Sequence, residues 1–225
     1  MIYVTGDTHM SIDIHKLSVA NFPEQKFLSK SDYVIICGDY GGIWNNSAEE
    51  LYWRDWMNDK PFTTLFVDGN HENFDLLNQY PVEIWNGGNI HCIADSIYHL
   101  MRGQIFTIDG LKFFTMGGAA SHDKEYRREG ISWWPQELPS DAEYEEAIHK
   151  LDEHEWNVDY IISHCAPDGV LNNISDWFEH DKCTNFLEVV KQKCQYKHWY
   201  FGHYHIDRDI DAQHTCMYNH IIPLN

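Results

Sequence analysis

The chain has 225 residues, 43% of them hydrophobic and 15% aromatic, which suits a packed globule with a sizeable core and excludes a disordered segment. Its formal charge of −19 argues against a broad electrostatic footprint on nucleic acid or on an anionic membrane. An anionic substrate stays open, because bound divalent cations would reverse the field at one site; elsewhere the acidity reads as a solvated surface.

Ile2-Tyr3-Val4-Thr5 reads as a first strand, followed at once by Gly6-Asp7-Thr8-His9. That placement leaves no room for a signal or transit segment, and no apolar run reaches transmembrane length. Tyr33-Val34-Ile35-Ile36-Cys37 is a continuous, partly β-branched apolar run that ends at Gly38-Asp39, the pattern of a buried strand. Residues 47–57 suit a helix, with Ser47 as its cap, Glu50 at the capping-box position, and Leu51, Trp53, Trp56 and Met57 as the buried face. Residues 63–67 read as another strand, which turns out through Asp68-Gly69-Asn70-His71-Glu72. Strand and loop units separated by helices predict an α/β sheet with polar side chains gathered at its carboxyl ends.

In the middle of the chain, residues 97–101, 104–108 and 111–116 form short strand patterns, the last two joined by the hairpin dipeptide Asp109-Gly110. Residues 119–139 lack periodicity and read as a long irregular loop carrying Arg127, Arg128, Trp133 and Trp134. Residues 140–154 return to helix, with Ser140 as cap and Glu143 three positions on. A strand over 158–162 leads into Ser163-His164, and residues 183–194 look helical. A strand over 198–201 leads into Gly202-His203-Tyr204-His205, and the tail over 206–222 is expected to close the sheet with a hairpin. With no repeat or linker composition, one domain over 1–225 is expected. The six cysteines show no C-x-x-C spacing and read as reduced thiols, which places the chain in the cytoplasm.

Five polar clusters stand out: Gly6-Asp7-Thr8-His9, Gly38-Asp39, Gly69-Asn70-His71-Glu72, Ser163-His164 and Gly202-His203-Tyr204-His205. Any one of them alone reads as a turn or a hydrogen-bonded loop. Together they place carboxylate, imidazole and amide donors just after strands, without thiolate, a set suited to Mn, Fe or Zn. In Asp7-x-His9 and His203-x-His205 an extended backbone would point both members to one side. Two such cations in one centre point to phosphate-ester hydrolysis.

The order G-D-x-H, G-D, G-N-H-E, S-H, G-H-x-H resembles the calcineurin-like metallophosphoesterase superfamily over nearly the whole chain. The resemblance implies a four-layer α/β/β/α sandwich of two mixed sheets, with a dinuclear metal site at one edge. It implies that Asp7, His9 and His205 hold one metal, that Asn70, His164 and His203 hold the second, and that Asp39 bridges them. It also implies in-line attack on phosphorus by a metal-bound hydroxide, with His71 protonating the leaving alkoxide or orienting the phosphate.

Two departures matter. Gly42 stands where many members carry an acid that orients the catalytic histidine, and Ile43 stands where protein serine/threonine phosphatases carry arginine. Phosphoprotein specificity is therefore not expected, and Glu72 or Asp68 is left as the alternative partner for His71. Arg102, Arg127 and Arg128 are the expected phosphate contacts, because guanidinium matches phosphate oxygens bidentately. Trp133 or Trp134 offers a stacking surface. The ten other histidines are unassigned, and His122 is the first of them to test.

The expected activity is hydrolysis of small phosphodiesters or phosphomonoesters, nucleotides among them. A protein serine/threonine phosphatase is the alternative. A non-catalytic binding protein ranks lower, since every ligand position is filled, and a nuclease tracking long polymers conflicts with the charge. The expected partner is a small phosphate ester, with no membrane and no extended nucleic-acid surface.

Overall fold

The computed structural model describes residues 1–175 and 177–224. Strands β1 (Ile2–Thr5), β2 (Tyr33–Ile36) and β3 (Thr63–Phe66) lie side by side in parallel, with Val4 opposite Ile35 and Ile35 opposite Leu65. They are covered on both faces, which is why each reads as an unbroken apolar run. Helix α1 (Ala48–Asn58) follows β2, begun by Ser47, whose side chain accepts the Glu50 N–H. The short α2 (Phe74–Leu77), capped by Asn73, follows β3.

Next, β4 (Val82–Trp85) and β5 (Gly88–Ala94) form a hairpin that sequence reading missed, although Asn86-Gly87 supplies the required turn at φ 49° and 96°. β6 (Ile97–Leu100) then joins the two halves, antiparallel to β5 and parallel to β3. The second sheet begins with the hairpin of β7 (Gln104–Ile108) and β8 (Leu111–Met116), turning on Asp109-Gly110 at φ 50° and 80° as that dipeptide predicts. α3 (Asp141–Glu153), β9 (Tyr160–Ser163), α4 (Asp168–Leu171), α5 (Lys182–Lys193) and β10 (His198–Phe201) follow.

The tail divides between the sheets instead of closing one of them. β11 (Arg208–Asp209) and β12 (His214–Cys216) pair as a hairpin beside β10, whereas β13 (Ile221–Pro223) crosses over to pair antiparallel with β1. The orders are β13-β1-β2-β3-β6-β5-β4 and β11-β12-β10-β9-β8-β7, both mixed.

Alternate residues along each strand feed different cores. Val4, Ile35 and Leu65 meet Phe106, Phe113 and Ile162 between the sheets. Val34, Ile36 and Phe66 face outward onto Ile14, Leu17, Phe22 and Met57. On the opposite side Phe114, Ile161 and Phe201 pack against Leu151 of α3 and Leu187 and Val190 of α5. The result is the expected α/β/β/α sandwich of two mixed sheets.

One packing expectation fails. Leu51 is 45% exposed, and the inner side of α1 instead carries Glu50 and Arg54. Arg54 donates to the Gly42 carbonyl at 2.9 Å, and Glu50 accepts the Asn45 N–H at 2.7 Å. The loop leaving β2 brings backbone groups that need buried partners, and polar side chains meet that need where leucine cannot.

Helix α3 opens with a complete capping box between Ser140 and Glu143. Ser140→Ala is expected to cost about 1 kcal/mol, read as a lowered urea midpoint at unchanged slope and a melting temperature lower by roughly 2–4 °C.

Candidate metal centre

All five polar clusters leave the carboxyl ends of strands. Asp7 and His9 follow β1, Asp39 follows β2, Asn70 and His71 follow β3, His164 follows β9, and His203 and His205 follow β10. These are neighbouring strands, three in one sheet and two in the other. Four of the residues sit in left-handed backbone: His9 at φ 39°, Asp39 at 48°, His203 at 70° and His205 at 49°. Strain of that kind, uncommon outside glycine, concentrates at functional sites. Close approach also demands glycine, since a Cβ on Gly69 would collide with Asp39 Oδ1 and one on Gly202 with Asp7 Oδ1.

The left-handed turns change how the paired residues point. An extended backbone does not hold at His9, His203 or His205, so His203 and His205 part company. His205 joins Asp7 and His9, while His203 joins Asp39 and His164. Three trios of donors arise among the described residues: Asp7, His9 and His205; His9, Asp39 and His71; and Asp39, His164 and His203. Within each trio the donor atoms lie within 4.8 Å of one another. His205 Nε2 is 3.1 Å from Asp7 Oδ2, and Asn70 Oδ1 is 3.3 Å from His164 Nε2. The structure thus brings all seven predicted ligand residues, and His71, to one place.

Asp39 Oδ2 lies 3.3 Å from His9 Nε2 and 3.3 Å from His164 Nε2. The other ring nitrogens are engaged: His9 Nδ1 faces Asp13 Oδ2 at 2.8 Å, and His164 Nδ1 faces the Cys37 carbonyl at 2.8 Å. Both rings are therefore aimed, with Nε2 toward the shared carboxylate, in the way that oriented metal-binding histidines are. Asp13 was not found from sequence, and neither were Lys16 and Tyr218. Lys16 Nζ donates to the carbonyls of Gly6, Asp7 and Tyr218, fixing the first cluster from below. Tyr218 stacks on His205 at 4.7 Å and donates to Asp13 Oδ1. None of these three carries a motif; only the fold brings residue 218 back to residue 13.

The electrostatics call for positive charge. Burial works against a charged His164, but Asp39 and then Asp7 outweigh it and push its pKa up to about 10. Asp39 would be raised by burial, yet His164 and His9 hold it well below the usual carboxylate range. His203, by contrast, is lowered by burial and by cationic His164 beside it. A buried cluster that takes up protons wherever its carboxylates permit, built only of O and N donors, fits divalent cations.

His71 lines a cavity with His9, and its ring pKa is lowered by burial, against which Asp39 pulls, and by cationic His9, Arg127 and His164. Its backbone N–H donates to Asp39 Oδ1 at 2.7 Å. Of the two proposed partners for its ring, Asp68 is bound to Arg102 and His99. Glu72 is fully buried and accepts the Gly41 N–H through Oε1, while its Oε2 has no hydrogen-bond partner among the described residues.

Arg102 corrects the sequence expectation. Its guanidinium is buried, 2.5 and 2.8 Å from Asp68 Oδ2, and donates to the carbonyls of Gln136 and Glu137. It braces the strand end before Asn70 and presents nothing to phosphate. Trp134 is likewise unavailable for stacking, at 2% exposure with its N–H on Asp75. Arg127 lies close enough to bias His71 electrostatically and is paired with Asp123 at 2.6 Å. Arg128 is exposed and makes no ion pair among the described residues. His122 lies near the centre, 5.5 Å from the His203 ring, beside Phe178.

A two-sheet sandwich with Asp, His and Asn converging at the strand ends defines a metal-dependent phosphoesterase. The sequence model of the calcineurin-like phosphoesterases matches residues 1–207, and the chain belongs to that family. It is similar to a lariat debranching enzyme of Schizosaccharomyces pombe, 26% identical over 158 residues, covering 63% of this chain and 33% of that protein. It is also similar to lariat debranching enzyme A of Xenopus laevis, 22% identical, covering 95% of this chain and 44% of that one. The chain thus spans less than half the length of both. A putative 5′-nucleotidase from Staphylococcus aureus shares the fold at a TM-score of 0.50 and 14% identity, over 96% of this chain and 48% of that one.

Burial alone would raise the Asp68 pKa, but Arg102 outweighs it, with help from His99, and holds it well below the usual range. A depressed carboxylate contributes stability above its unfolded pKa of about 3.9 and loses it as pH falls below that. Arg102→Met is therefore expected to cost about 3–5 kcal/mol at neutral pH, with the deficit narrowing below roughly pH 4. Urea melts of both proteins at several pH values check this.

Proposed function

We propose that this chain hydrolyses small phosphodiesters, nucleotide-like ones among them, at a centre of two divalent cations of Mn, Fe or Zn type. The observation that carries the reading is Asp39, the one carboxylate common to two neighbouring donor trios. In this reading Asp7, His9 and His205 hold one ion, Asn70, His164 and His203 the other, and Asp39 both. Bound there, the ions would polarise phosphoryl oxygens and acidify a water molecule.

The chain's own groups do the rest. Asp13 and the Cys37 carbonyl hold the rings of His9 and His164 in place. His71, kept beside Asp39 by its own backbone hydrogen bond, is the group placed to give a proton to the leaving oxygen.

A diester is favoured over a monoester by charge. A monoester dianion asks for several fixed cations beyond the metals. Here Arg102 is spent on Asp68 and Arg127 is paired with Asp123, which leaves the exposed Arg128 as the one expected arginine with no ion pair among the described residues. Gly42 and the fully buried Ile43 supply neither the acid nor the arginine of the phosphoprotein branch. The relatives named as lariat debranching enzymes agree with this, since debranching opens a linkage between two groups, as a diesterase does. The free cysteines, five of six buried, fit a reducing cytoplasm.

Reconstituted with Mn, the protein is expected to carry two ions per chain and Asp39→Ala at most one, as counted by elemental analysis. His71→Asn should keep its metal and lose roughly 10²–10⁴ in kcat. Bis-p-nitrophenyl phosphate should be turned over faster than p-nitrophenyl phosphate, and a phosphopeptide rate far above both would reverse the assignment.

A further inference from the structure

The cavity that His9 and His71 line has a volume of about 290 Å³. Its remaining wall is mostly Trp44, Trp53, Met10 and Ile12, with Asn45 and Glu49 as polar edges. Neither lysine nor arginine lines it. Trp44 is fixed in place: its carbonyl accepts the Asn73 amide at 2.7 Å, and its ring packs edge-on against Trp134 at 5.2 Å. That ring also lies 6.5 Å from His71. Trp53 is held by His15 at 5.0 Å and Trp56 at 5.5 Å. Both indoles are half-buried, and their N–H groups make no hydrogen bond among the described residues.

We propose that this cavity receives the leaving group of the substrate, and that the group is a neutral nucleoside. Its base stacks on Trp44 or Trp53 while its hydroxyl oxygen lies at His71. The inference rests on the phosphodiesterase reading above and adds which half of the substrate is recognised, and by what.

Four observations converge on that occupant. The cavity is continuous with His71, the residue placed to meet the leaving oxygen. Its volume sits at the lower end for small-ligand sites, room for one nucleoside and too little for a strand. Its charge comes from Glu49 and from Glu50, which is already paired with Arg54, so a leaving group bearing a second phosphate would be repelled. Its flat indole walls suit a heterocycle; the Asn45 amide N–H and the Ser47 hydroxyl can donate to the ring nitrogens of a base such as adenine, and the Glu49 carboxylate can accept from its exocyclic amino group, none of which a plain phenol offers.

The test titrates adenosine and tyrosinamide into the Mn-loaded protein by calorimetry, with quenching of the protein's own tryptophan fluorescence as a second signal that needs no variant. Adenosine is expected to bind, and tyrosinamide to bind more weakly. Trp53→Ala and Trp44→Leu should each weaken adenosine by roughly 5- to 150-fold, the range of one lost base stack. In Trp53→Ala the ratio of kcat/KM for adenylyl-(3′→5′)-adenosine over methyl p-nitrophenyl phosphate should fall by a similar factor. Diester turnover without adenosine binding, or adenosine binding undiminished in both variants, overturns the subsite and leaves hydrolysis standing. Adenosine binding without turnover of any diester under Mn, Fe or Zn overturns the hydrolytic reading, and the leaving-group assignment falls with it.

Discussion

Asp39 ties together the loops that leave β1, β3 and β9. Its backbone carbonyl accepts the N–H groups of Thr8 and His9, its Oδ1 accepts the His71 N–H, and its Oδ2 faces His9 and His164. Two other motifs from its own sheet and one from the second are thereby registered on a single buried residue. Its left-handed backbone is the geometric cost of reaching all four at once. The absent Cβ of Gly69 follows from the same constraint, since Asp39 Oδ1 occupies the space. A carboxylate with so many partners cannot move without moving the donors around it, which is how a centre of this kind is preorganised.

Around that point the protein uses buried polar groups where a plain sandwich would use hydrocarbon. Arg102 and His99 hold Asp68 behind Asn70, Arg54 and Glu50 hold the loop that carries Asp39, and Lys16 gathers the carbonyls of Gly6, Asp7 and Tyr218. Each braces a loop just where it leaves a strand and its backbone groups lose their ladder partners. Buried pairs of this sort add little net stability, but removing one partner is costly, so they fix loop position more than they hold the fold together.

How much of this is legible in the sequence depends on whether the signal is local. The strands β1 to β3 are continuous apolar runs, the Asp109-Gly110 turn is a dipeptide, and the α3 cap is a four-residue box; each of these is visible without the fold. The donors were visible too, because they sit in short clusters beside glycine. The role of Arg102 was not, because its partner Asp68 lies 34 positions away and only the meeting of β3 with β6 joins them. Tyr218 shares that difficulty, while Asp13 and Lys16 lie close in sequence to the groups they hold but belong to no motif. On α1, Met57, Trp53 and Trp56 turn inward as their spacing predicts, and only Leu51 was misread, for another reason. Leucine at 51 obeys the helical period, but the neighbouring loop needed charges more than it needed hydrocarbon. The division of His203 from His205 follows from the family resemblance and not from their spacing, because an i, i+2 argument assumes extended backbone and the chain is left-handed at both residues.

The charge of −19 then bears on what such a centre selects. An anionic surface repels every phosphate that approaches it, and the repulsion accumulates with each one carried. On the proposed reading, only the phosphate that reaches the donor cluster at the strand ends would be compensated, by the cations held there. A long polyanion would pay the surface term many times for one local gain, whereas a small diester meets it once. A neutral group beyond the scissile bond adds no further repulsion and gains stacking instead. On the proposed reading, the acidity of the chain, bland when read residue by residue, would act with the arginine-poor site as a filter on substrate charge and length.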